Sequence, residues 1–162
     1  MASEALLRRG DVRALVVDAL DEGSSLVSAL RRADGDAVLV PESGVGAAVS
    51  CAAIVVVEAA AMGPTGLVAT AGSAAAAAVA RQRHVPVWAV APAGRLLPAP
   101  LWDALAASLA ASGDAPWDEL EEVVPLDWVD AVVGPHGAAG PAEAVASPTC
   151  PPAPELVRPL RR

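Results

Sequence analysis

The 162-residue sequence has no tyrosine, phenylalanine, lysine or asparagine, and every basic residue is arginine. This pattern reads as the coding bias of a GC-rich genome. Such a bias removes Lys and Asn without any functional cause, but it does not disfavour Asp or Arg. Basic residues are also few, and the formal net charge is −8. A strongly acidic chain with no basic stripe and no interleaved aromatics is a poor direct partner for nucleic acid. Arg8–Arg9 and Arg161–Arg162 stand at the ends, where solvated charge is the expectation. The two cysteines, Cys51 and Cys150, make neither a disulfide framework nor a familiar metal-ligand spacing. Cys51, just before an apolar strand, reads as a small buried residue. Neither His84 nor His136 has a Cys or His at metal spacing, so no metal and no cofactor is expected. The N-terminus lacks the apolar core of a signal peptide, and a reducing cytoplasm fits best. Residues 59–80 carry no charge, but they hold Gly63, Pro64, Gly66 and Gly72 and are otherwise mostly alanine, so a soluble turn and helix is expected there. No Walker pattern and no G-x-G-x-x-G follows the first strand. Gly44 and Gly46 read as a turn device.

What is present is an alternation. RALVV (13–17), DAVLV (36–40), AAIVVV (52–57) and PVWAV (86–90) are short, apolar and bounded like buried strands. Between them lie helical stretches at 23–33, with Ser24 or Ser25 as cap, at 41–50, and at 72–83, with Arg81 and Arg83 suited to its C-terminal end. A helix at 98–112 follows, then a strand at 121–124 and a strand or short helix at 128–133. Short apolar strands separated by helices predict a doubly wound, mainly parallel Rossmann-like α/β sheet with helices on both faces. The Pro- and Ala-rich residues 138–162 read as an extended tail without a core of its own. The tryptophans read as packing residues, and an exposed pair would instead indicate an interface.

The stretch VVVEAAAMGPTGLVATAGS (55–73) runs from a strand through a turn into a helix, where ligands sit in open α/β sheets. After Glu58 nothing in it ionises. Glu58 is either a general base or a solvated carboxylate at a turn. Glu42, Ser43, Thr65, Thr70 and Ser73 are candidates to line the same crevice. Gly72 and Ser73 offer backbone N–H groups to an anion, and Arg95 is the cation to test for ligand contact. His84 belongs to the opposite end of the sheet.

Four segments in order resemble a known family. They are VVDALDEGSSLVSALRR, DAVLVPESGVGAAVSCAAIVVV, GLVATAGSAAAAAVARQRHVPVWAVAP and EEVVPLDWVDAVVGPHG. Together, over about residues 10–137, they resemble the C-terminal domain of the translation initiation factor 2B alpha/beta/delta family. That family includes methylthioribose-1-phosphate and ribose-1,5-bisphosphate isomerases. The resemblance implies a Rossmann-like fold, dimerisation through this domain, and residues 1–9 as an N-terminal extension. It also implies a helical domain, which this sequence has no room for: either that domain is gone or a separate chain supplies it.

At the expected catalytic positions the sequence departs from the family. The isomerases' Asp falls on Ala60, their Asn-Lys pair near Thr70-Ala71, and their phosphate-contacting Arg near Asp18. Their catalytic Cys lies upstream, so Cys51 is not its counterpart. Coding bias explains a lost Lys or Asn, but not Asp to Ala or Arg to Asp. The expectation is therefore a non-catalytic, dimeric binding or assembly protein. The alternatives are a sensor of a phosphorylated sugar or nucleotide, or a diverged isomerase using Glu58.

Overall fold

The computed structural model describes residues 12–111, 115–153 and Glu155. Arg8, Arg9, Arg161, Arg162 and the extension at 1–9 lie outside them.

Strands β1 (Arg13–Val17) and β2 (Asp36–Val40) pair in parallel, with Arg13 opposite Asp36. The connecting helix α1 (Gly23–Arg32) turns Val27 and Leu30 onto Ala37, and Ala14, Val16 and Leu26 pack around them. Expected serine caps are absent from this helix. Ser25 instead donates its hydroxyl to the Glu22 carbonyl at 2.8 Å, while the Asp18 carboxylate accepts the Gly23 N–H at 2.9 Å. Asp18 thus does from outside the helix what a capping side chain does. A 3-10 turn over Glu42–Gly44 leads into α2 (Val45–Cys51). Gly44 belongs to that turn, but Gly46 is inside the helix. Cys51 is exposed, against expectation, because α2 ends there with that side chain turned to solvent.

The central sheet holds β3 (Val55–Glu58), β6 (Val87–Val90) and β8 (Ala131–Gly134) in parallel. Val57, Ala89 and Val132 form one buried row across it. The helix α3 (Ser73–Arg83) lays Ala77 and Ala80 into the same core. Each contributes about 0.8 kcal/mol by losing one methyl to burial, so the gain from an alanine face is close helix–sheet approach and the dispersion it allows. On the other face the Val56–Trp88 pair remains 44% and 39% exposed.

Between β3 and α3 the chain builds something the alternation did not reveal. β4 (Ala61–Gly63) and β5 (Gly66–Thr70) form an antiparallel hairpin around Pro64–Thr65, and β7 (Glu121–Pro125) pairs antiparallel with β5. The hairpin closes on α4 (Ala99–Ala111), where Trp102 is buried. A Cβ at Gly63 would stand 2.1 Å from Trp102 Cγ, so only glycine allows that contact.

Residues 137–150 are not an extended tail. β9 (Gly137–Ala139) pairs antiparallel with β8, and α5 (Pro141–Ala146) sets Ala144 and Val145 against the main core. The N–H groups of Thr149 and Cys150 donate to the Leu96 carbonyl at 3.0 and 2.9 Å. Apolar residues spaced among the prolines make this docking favourable despite the composition. Trp88 and Trp117 also depart from the packing expectation: Trp117 is 78% exposed. Among the described residues no helix is long and apolar enough to cross a membrane.

Candidate functional site

The carboxyl ends of the parallel strands carry the candidate residues. Glu58 closes β3, opposite Val90, and is exposed. Two residues on, the Ala60 N–H donates to the Val68 carbonyl, and the Ala60 carbonyl accepts Arg95 Nη1 at 2.7 Å. Arg95 lies in the loop after β6, where its own carbonyl accepts the Met62 N–H at 2.8 Å. Arg95 thus stands beside residue 60. Its guanidinium is exposed, and the partner there is a backbone carbonyl.

Thr70 ends β5 opposite Glu121. Gly72 follows with φ +90°, a left-handed conformation that suits glycine at this tight entry to α3. The Glu122 carboxylate accepts the Ala74 N–H at 2.7 Å. It thereby takes up one of the free N–H groups that a ligand anion would use at a helix start. Sequence reasoning missed Glu122. The EEVV strand was legible, but its antiparallel pairing with β5, which carries the carboxylate to α3, was not.

The other candidates do not join this group. Thr65 is in the hairpin turn, and it and Thr70 stand at opposite ends of the extended β5, about 17 Å apart. Its hydroxyl accepts the Trp102 indole N–H at 2.7 Å, and its carbonyl accepts the Leu126 N–H. Thr65 thus ties the hairpin to α4 rather than lining a crevice. Glu42 follows β2 and accepts the Leu20 N–H at 3.3 Å, with exposed Ser43 beside it in sequence. Their strand, β2, hydrogen-bonds to β1 and not to β3.

An open groove of about 430 Å³ lies at this end, lined by Leu20, Glu22, Thr70, Leu109, Glu119, Leu120 and Glu121. The three carboxylates of its lining, Glu22, Glu119 and Glu121, oppose the approach of a phosphate. A larger open groove, about 710 Å³, lies at the amino ends of the strands between Arg81, Gln82, His84, Asp127, Trp128 and Asp130. Arg81 donates there to the Asp127 carbonyl at 2.7 Å, and Asp130 accepts the Val87 N–H at 2.7 Å. Among the described residues no three His, Cys, Asp or Glu side chains are placed to hold a metal ion.

The family model described as the Initiation factor 2 subunit family matches residues 11–111. The chain belongs to that family. No curated protein matches it in sequence. Among solved structures it resembles the translation initiation factor eIF-2B of Pyrococcus horikoshii OT3, at 15% identity and a TM-score of 0.69, covering 89% of this chain and 55% of that one. It also resembles eIF2B beta of Chaetomium thermophilum, at 18% identity and a TM-score of 0.68, covering 90% and 43%. A third likeness is to 5-methylthioribose 1-phosphate isomerase of P. horikoshii OT3, at 16% identity and a TM-score of 0.61, covering 83% and 44%. At these identities the likeness establishes the fold, and this family member spans roughly half the length of the structures it matches.

Proposed function

We propose that this chain is a non-catalytic binding or assembly member of its family, cytoplasmic and dimeric, with the family module over residues 10–137. A separate helical-domain chain is the partner we assign to it besides a second copy. The observation that carries the reading is residue 60. A methyl group stands at the position where the isomerase resemblance puts an acid, and a methyl group moves no proton. The surroundings agree. The helix start beyond it is already hydrogen-bonded by Glu122, and the adjacent groove is lined by carboxylates rather than by cations. Solved relatives are compatible with assembly: one is a tetrameric eIF2B beta2-delta2 complex from C. thermophilum.

The test has two arms. Purified protein is incubated with 5-methylthioribose 1-phosphate and ribose-1,5-bisphosphate, and its mass is measured by light scattering. The reading expects no isomer product and a dimer. Turnover that disappears in Glu58→Ala would establish the diverged isomerase instead. A strict monomer that also takes up no partner chain would remove the assembly role.

A further inference from the structure

The groove at the carboxyl ends of the strands combines two features that a sugar-phosphate site has no use for. One is exposed leucine: Leu20 is 41% and Leu120 62% exposed, and both line the groove together with Leu109. The other is acidic lining: Glu22, Glu119 and Glu121 stand among the same leucines. The backbone that carries these leucines is hydrogen-bonded. The Leu120 carbonyl accepts the Ala71 N–H at 3.0 Å, and the Leu20 N–H is bound by the Glu42 carboxylate. A leucine presented to water from a hydrogen-bonded backbone leaves apolar burial available to a partner.

The geometry points to a docking groove for a cationic amphipathic segment of a partner protein, with leucine-type side chains on one face and arginine or lysine beside them. Apolar side chains would enter between Leu20, Leu109 and Leu120, while the cations would meet Glu22, Glu119 and Glu121. The charge selects this occupant. Phosphorylated metabolites and anionic lipid headgroups carry the same sign as the groove, and an acidic peptide would be repelled by it. At about 430 Å³ the groove admits a few side chains of a segment. The inference rests on the reading of this chain as a binding protein and names the chemistry of one partner.

Fluorescence anisotropy on the full chain tests it, at physiological salt. The probe is a labelled 14-residue peptide with leucines at helical spacing and arginines between them. Two control peptides replace its leucines by serine or its arginines by glutamate. The account expects micromolar binding of the Leu/Arg peptide and at least tenfold weaker binding of both controls. Leu20→Ser with Leu120→Ser, and separately Glu119→Arg with Glu121→Arg, should each weaken binding tenfold or more. Asp127→Arg with Glu143→Arg changes net charge equally outside the groove and should alter binding less than twofold. The two groove pairs report independently, so misfolding of one leaves the other decisive. Equal binding of the Ser/Arg peptide, or equal losses in the groove and control variants, overturns the proposal. That outcome leaves the absence of isomerase turnover untouched, so the two failures are distinguishable.

Discussion

The two ends of the parallel strands differ in charge, and the helices help to explain why. At the carboxyl ends Asp18, Glu22, Glu42, Glu58, Glu119, Glu121 and Glu122 stand with Arg95 as their basic neighbour. At the amino ends Arg13, Arg31, Arg32, Arg81 and Arg83 stand among Asp34, Asp36, Asp127 and Asp130, so the arginines there are balanced by aspartates. In a fold of strand–helix–strand units, each connecting helix starts where a strand ends and runs back to where the next begins. Its positive N-terminal end faces the first group, and its negative C-terminal end faces the second. Asp18 serves α1 and Glu122 serves α3 in this way, while Arg31–Arg32 and Arg81–Arg83 occupy the last turns of those helices. The lesson is that two of these carboxylates are structural. Asp18 and Glu122 occupy anion positions that an α/β scaffold otherwise offers to a ligand.

Mutations at the two ends should therefore behave differently. The largest effect belongs to the hairpin present only at the carboxyl end. Gly63→Ala pushes a Cβ into Trp102 and should cost about 3 kcal/mol by overpacking, read from denaturant midpoints. Next comes Glu122→Ala, which frees the Ala74 N–H and should cost about 1–2 kcal/mol, with faster amide exchange confined to the start of α3. Asp18→Ala should cost about 1 kcal/mol for the same reason at α1, and exchange should quicken at Gly23 instead. Smallest is Arg81→Ala at the amino end. Its exposed guanidinium gives up one carbonyl hydrogen bond and a dipole contact, roughly 0.5 kcal/mol. If Arg81→Ala proved as costly as Glu122→Ala, the contrast between the ends would fail.

The parallel strands and the helices between them are legible from apolar runs and their spacing, although Val56, Trp88, Val38 and Leu39 stay partly exposed and so these strands are less buried than such runs imply. The hairpin is not. Residues 61–63 and 66–70 are apolar in the same way as the strands before them, and the direction of pairing is not written in composition. Its one local sign, Gly63-Pro64 with Gly66, reads equally well as a simple turn. The hairpin is what sets the observed site apart from the expected one: it holds Thr65 against Trp102, away from Thr70, and pairs β5 with the strand that carries Glu122 to α3. The place of Arg95 in the loop after the PVWAV strand and of Gly72 at a helix start is legible, since both follow from strand ends, but the contact of Arg95 with the Ala60 carbonyl is not. Residues 138–150 were misread because high proline content hid the few apolar positions, Ala144 and Val145, that dock.

The central claim is that the protein's own carboxylate fills the anion position at the start of α3. Thermal unfolding of wild type and Glu122→Ala, each with and without millimolar ribose 5-phosphate, tests it most directly. The account predicts no shift for wild type, a lower midpoint for Glu122→Ala by several degrees, and partial recovery of that loss when the phosphate is added. Stabilisation of the wild type by the sugar phosphate, abolished in Arg95→Ala, would contradict it and establish a metabolite-binding site.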